Sequence, residues 1–213
     1  KITKLERNRV SIELIIKEGD ASSIKEINII GNKSFSKKEI LRVMSSGTKY
    51  FFEFWSSKDT YSSSVLRSDI SKIENYYLNR GYVRFRILSN QVNLSNDNQD
   101  IIITINIDEG ERYEFGDIKV YGNSVVSPEI LKSSLMEVML PKQTFSRQKI
   151  QESEKLLAYL LGDEGFAFPE VLSLPIIDDA TKIVDVEFRV DPGQRSTVRR
   201  INITGNINTN DEV

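Results

Sequence analysis

Residues 109–123 read EGERYEFGDIKVYGN, and the same frame occurs twice more, as EGDASSIKEINIIGN at 18–32 and PGQRSTVRRINITGN at 192–206. In each copy the first glycine stands twelve residues before the second: Gly19 and Gly31, Gly110 and Gly122, Gly193 and Gly205. Constant spacing under changing side chains marks a structural unit used more than once.

The likeness extends to both sides of the glycines. Upstream, Val10, Ile12, Leu14 and Ile16 alternate before Gly19; Ile101, Ile103, Ile105 and Ile107 do so before Gly110; Val184, Val186, Phe188 and Val190 do so before Gly193. Period-two alternation of this length predicts a strand with one face on a core. Burying four such side chains is worth roughly 1.5–3 kcal/mol each before entropy is subtracted. Downstream, Ile24, Ile27 and Ile29 match Phe115, Ile118 and Val120, then Val198, Ile201 and Ile203, a second strand ending at a Gly-Asn turn.

Helices fill the intervals. Ser36 with Glu39 forms a capping box, and Ser127 followed by Pro128 and Glu129 is a second helix start. A longer helix in each interval carries one apolar stripe, Leu66, Ile70, Ile73 and Tyr77 in the first and Ile150, Leu157 and Leu161 in the second, with Leu156 and Leu160 beside it. Both end at glycine before an aromatic, Gly81-Tyr82 and Gly165-Phe166, the pattern of a glycine C-cap. A third strand follows, within YVRFRILSNQVNL or FAFPEVLSLPI, and an Asn/Asp-rich turn leads into the alternating strand.

The fold class is therefore α+β, in tandem β-α-α-β-β units whose three strands are covered on one face by two helices. Expected boundaries are residues 1–20 for the last strand of a preceding unit, 21–110 and 111–193 for two complete units, and 194–213 for the first strand of another. The two end strands are expected to lack partners from their own units. Gly31, Gly81, Gly110, Gly122, Gly165 and Gly193 are expected at structural turns.

Composition narrows the function. The 213 residues contain no histidine and no cysteine, which excludes Ser-His-Asp and Cys-His nucleophile systems and histidine-ligated metals. No cofactor or metal site is expected. Carboxylate pairs such as Asp108-Glu109 and Asp178-Asp179 sit at strand exits and turns, where solvated charge is the expectation, so the chain does not read as an enzyme. Lys+Arg 29 against Asp+Glu 31 supplies no excess charge to hold phosphates. A nucleic-acid module is the reading from another class. RGYVRFRI at 80–87 superficially matches an RNA-stacking strand, but Arg84 and Ile87 stand where aromatics belong. GDEG at 162–165 has the spacing of a phosphate-clamping loop, but Asp163 and Glu164 would repel the phosphates. No nucleic-acid partner is expected. No apolar run approaches the eighteen or so residues of a membrane-spanning helix.

The ordered series INIIGNKSFSKKEIL, YYLNRGYVRF, ITINIDEGERY and GFAFP resembles the POTRA domains of the BamA family of outer-membrane barrel-assembly factors, most closely a third and fourth unit with flanking fragments. The resemblance implies a periplasmic position, with attachment to the outer membrane through a C-terminal barrel not contained in this chain. It implies a sheet with the alternating strand in the middle and the strand after the long helix at an edge. It also implies unfolded outer-membrane precursors as partners, taken up by β-augmentation, with accessory lipoproteins of the BamB kind. Two-partner secretion transporters and TamA-like factors share the fold and are the alternative family members.

A free strand edge can adopt an extended chain without reading its side chains. The second unit's edge is interrupted by Pro169 and Pro175, whereas 83–94 contains no proline, so Val83, Arg84, Phe85, Arg86 and Ile87 are the expected substrate edge. By the same resemblance, Tyr61, Val65 and Arg67 lie in the region expected to dock an accessory lipoprotein. Tyr50, Phe51, Phe52, Phe54 and Trp55 are expected to form a satellite core under a long loop rather than a sticky surface.

Overall fold

The computed structural model describes residues 2–5, 9–12, 23–46, 61–95, 100–122, 125–197 and 199–200. The strands at its start are β1 (Ile2–Leu5) and β2 (Arg9–Ile12), which pair antiparallel, Ile2 with Ile12 through Leu5 with Arg9. Part of the first expected strand thus finds its partner within the same short segment instead of remaining unpaired. Leu14 and Ile16, Val198, Ile201 and Ile203 of the last expected strand, and the aromatic cluster at 50–55 lie outside the described residues.

Two β-α-α-β-β series follow. The first is β3 (Ser23–Ile30), α1 (Lys37–Val43), α2 (Ser63–Leu78), β4 (Arg86–Leu94) and β5 (Asp100–Asp108). The second is β6 (Glu114–Gly122), α3 (Pro128–Val138), α4 (Arg147–Asp163), β7 (Glu170–Asp178) and β8 (Ile183–Asp191). The sheet orders are β3-β5-β4 and β6-β8-β7, so the alternating strand is central in both and the strand after the long helix is an edge. β3 pairs with β5 and β6 with β8 in parallel, while β7 pairs with β8 antiparallel. The connection from β4 to β5 is too short for anything but an antiparallel pair. Contacts divide the chain into two compact units, residues 1–73 with 87–108 and residues 74–86 with 109–213.

In the first unit, alternation puts Ile101, Ile103, Ile105 and Ile107 in the interior with Ile24, Ile27, Ile29, Ile40, Leu66 and Ile73. In the second, Phe115, Ile118, Val184, Val186, Phe188 and Val190 pack with Leu131, Leu135, Ile150, Leu157 and Leu161 in one cluster. Each parallel pair contains a one-residue bulge, between Ile24 and Glu26 and between Phe115 and Ile118. The extra residue explains why the first strands step by three before they alternate.

The helix starts follow their sequence signals. Ser36 Oγ accepts the Glu39 N–H while Glu39 Oε2 accepts the Ser36 N–H, and Ser127 Oγ accepts the Ile130 N–H ahead of Pro128. A third cap escapes the sequence reading: Ser146 Oγ accepts the Lys149 N–H at the start of α4. Both long helices close with the same bond, Tyr82 N–H to Tyr77 O and Phe166 N–H to Leu161 O, across Gly81 and Gly165 at φ +97° and +90°. Gly31, Gly110, Gly122 and Gly193 also have positive φ. At Gly31 and Gly122 there is a second constraint: a Cβ would lie 2.1 Å from Ile107 O and 2.0 Å from Val190 O, on the central strand of the respective sheet. No helix among the described residues is long and apolar enough to cross a membrane.

Candidate functional site

Each sheet has two edges, β3 and β4 in the first and β6 and β7 in the second, and the strands that follow the long helices are β4 and β7. These two are the sites to build, beginning with β7, whose register is complete. β7 pairs with β8 from Glu170 opposite Asp191 to Asp178 opposite Ile183. In an antiparallel pair, alternate residues turn their main-chain groups toward the partner strand or away from it. The Ser173 N–H donates to Glu154 Oε1 on α4 at 3.2 Å, so it points away from β8. Val171, Ser173, Pro175 and Ile177 are therefore the residues whose main chain faces outward. Val171 and Ile177 pack against the second core, which places this set on the helix side and leaves Leu172, Leu174 and Ile176 exposed on the open face.

The first edge has a different register. The Ser95 N–H donates to Asp100 O at 2.8 Å, and Asn106 Nδ2 donates to Ser89 Oγ at 2.6 Å. Both contacts fit one unbulged antiparallel pairing, Ser95 opposite Asp100 and Ser89 opposite Asn106. Ser95 turns its main chain toward β5, so Leu88, Asn90, Val92 and Leu94 turn theirs outward. Asn106 faces away from the buried isoleucines of β5, and Ser89 shares that face. Leu88, Val92 and Leu94 therefore stand on the helix side, yet they are 62%, 40% and 50% exposed. An outward ladder and an apolar row coincide on this edge.

The structure separates the expected site residues. Arg86 and Ile87 begin β4, but Val83, Arg84 and Phe85 precede it in a turn. After Gly81, the Val83 N–H is spent on Gly81 O and the Phe85 N–H on Tyr82 O, so neither can enter a ladder. Phe85 is buried and stacks on Tyr77 with ring centroids 4.2 Å apart. It is a packing residue. Val83 packs against the core of the second unit, and Arg84 makes two bonds to Asp179, of 3.0 and 2.8 Å. The accessory region is placed as follows: Tyr61 is half-buried just before α2, and Val65 and Arg67 are exposed on it.

Two carboxylates expected in solvent have partners. Glu109 is buried and accepts the Tyr77 hydroxyl at 2.8 Å; burial, with that bond, pushes the Tyr77 phenol well above its usual range. Asp179 also accepts the Tyr113 hydroxyl at 2.6 Å, and the bonds from Arg84 and Tyr113 hold its carboxyl below the usual range. Two further carboxylates have roles that sequence reasoning misses. Glu154 is one. Asp69, fully buried on α2, accepts the N–H groups of Ser45 and Ser46, each at 2.6 Å, and the Lys72 ammonium at 3.0 Å. Burial alone would raise its pKa; the Ser46 hydroxyl, the two amides and Lys72 outweigh that and lower it. The available signal is helical spacing: Asp69 falls four residues before Ile73 on the stripe itself, where an acid needs partners.

The family model for the surface antigen variable number repeat, POTRA, matches residues 22–110 and again 113–193. The chain belongs to the POTRA family. It is 30% identical over 213 residues to the outer membrane protein assembly factor BamA of Neisseria meningitidis, covering all of this chain and 27% of that protein. It is 31% identical over 217 residues to BamA of Buchnera aphidicola, covering all of this chain and 34% of that protein. The crystal structure of POTRA domains 3–5 of Haemophilus influenzae BamA superposes with a TM-score of 0.73 at 27% identity, covering 93% of this chain and 77% of that one. The POTRA segment described here thus spans about a third, or less, of the BamA proteins it matches.

Proposed function

We propose that this POTRA segment is a non-enzymatic strand acceptor on the periplasmic face of the outer membrane. Residues 21–110 and 111–193 act as its complete repeats, and the first carries the main acceptor edge. Unfolded outer-membrane precursors add an extended segment to β4, bonding to the outward groups of Leu88, Asn90, Val92 and Leu94. Of the residues expected from sequence, Arg86 and Ile87 open this edge. The start of α2, with exposed Val65 and Arg67 and with half-buried Tyr61 just before it, is the docking region for an accessory lipoprotein. The observation that carries the reading is β4 itself, a sheet edge without proline whose outward ladder runs beside an exposed apolar row.

The energetics suit transient capture. Each ladder bond contributes about 0.5–1.5 kcal/mol net, and ordering of the visiting peptide offsets much of the sum. Backbone bonding tolerates many client sequences, and the apolar row favours strands with alternating apolar side chains. Asn90→Pro provides the test. It removes one outward donor and leaves the β4–β5 ladder intact, because the Asn90 main chain faces away from β5. Affinity for a fluorescent barrel-strand peptide, read by anisotropy, should fall about fivefold or more while the thermal midpoint barely moves. Unchanged affinity in the folded variant would contradict capture at this edge.

A further inference from the structure

We propose that Glu154 decides which of the β4 and β7 edges takes a client strand, by occupying the β7 edge as a surrogate for the strand itself. The inference rests on strand capture by β4 and extends it to the second unit.

A visiting strand on β7 must bond to the outward groups of Val171, Ser173, Pro175 and Ile177. At the centre of that row the donors are gone. Pro175 has no N–H. The Ser173 N–H is held by Glu154 Oε1, and the Ser173 hydroxyl donates to the same oxygen at 2.5 Å. That oxygen stands where the carbonyl of an incoming strand would have to stand. Glu154 is well placed for this, between Ile150 and Leu157, whose buried side chains fix the helix against the sheet. A groove of about 360 Å³, lined by Val83, Phe145, Ile150, Glu154, Ser173 and Pro175, runs along this edge inside the second unit. What a visitor lacks is the two donors at the centre of the row.

The first unit has neither device. Counting from the capping glycines Gly81 and Gly165, the position of Glu154 is taken by Ile70, which can accept nothing, and residues 83–94 contain no proline. One carboxylate and one proline thus close, on β7, the outward row that β4 leaves open, in addition to the one-residue difference in register between the two edges. A peptide of alternating valine and threonine carrying a nitroxide label tests this by NMR line broadening on the full chain. The wild type should broaden at Leu88, Asn90 and Val92 and not on β7. The double variant Glu154→Ala/Pro175→Gln should broaden at Val171, Ser173 and Ile177 as well. Hydrogen exchange supplies an independent arm. The Ser173 amide should exchange several-fold to about tenfold faster in Glu154→Ala and stay near wild type in Glu154→Gln, which keeps an acceptor oxygen.

Broadening at β4 with a silent β7 in the double variant would overturn the role of Glu154 alone. So would broadening at β7 in the wild type, or Ser173 exchange indifferent to the substitution. Silence at both edges in every protein would overturn strand capture and this inference with it.

Discussion

β4 and β7 follow equivalent helices and flank equivalent central strands, yet they present opposite faces. On β4 the exposed leucines and valine stand on the helix side, in line with the outward ladder; on β7 the exposed Leu172, Leu174 and Ile176 stand on the open face, and the helix side holds Ser173 and Pro175. A one-residue difference in strand register is enough for this, because side chains alternate with a period of two. The scaffold, its bulges and its caps repeat; the margin does not. Binding properties here are grafted onto a fold that does not itself dictate them.

The largest effects should come from what the units share. Gly31→Ala and Gly122→Ala each force a Cβ against a carbonyl oxygen of the central strand at positive φ, and each should cost on the order of 3 kcal/mol. Urea denaturation checks this, and a much smaller loss in one variant would show that the two joints are not equivalent.

Smaller effects should come from what the units do differently on the long helices. Counting from the same glycines, buried Asp69 corresponds to buried Ser153. Asp69 is fully bonded, whereas Ser153 Oγ has no hydrogen-bond partner among the described residues. Asp69→Asn should cost about 1–3 kcal/mol at neutral pH. Because the folded-state pKa of Asp69 lies below its unfolded value near 3.9, its contribution is fully present above that value and is lost as pH falls through the lower one. The stability difference between wild type and Asp69→Asn should therefore shrink as the pH drops below about 4. Equal differences at pH 7 and in strong acid would show that Asp69 does not titrate as described. Ser153→Ala removes an unbonded hydroxyl and should leave thermal stability unchanged or raise it by up to about 1 kcal/mol. A clear loss there would reveal a bond that the structure does not contain.

Much of this architecture is legible in the sequence because its signals are local. Four alternating isoleucines at 101–107 can only be a strand with one buried face, and Ser36 with Glu39 or Ser127 with Pro128 announce their helices. The edges are less legible because their chemistry is not local. Phe85 sits in the alternating run RFRI and reads as strand, but the turn after Gly81 consumes the nearby amides and rotates the ring onto Tyr77. Glu154 reads as an ordinary polar flank of an amphipathic helix. Only the path of β7 past α4 gives its carboxylate a purpose. Glu109 likewise looks solvated until Tyr77, thirty-two residues earlier, is brought to it.

The most direct measurement is a chemical-shift titration of the uniformly labelled chain with an unfolded barrel-strand peptide. Capture at β4 predicts that the amides of Leu88, Asn90 and Val92 move together and saturate at one concentration, while those of Val171, Ser173 and Ile177 stay in place. Shifts centred on β7, or scattered over both units without a common saturation point, would contradict it.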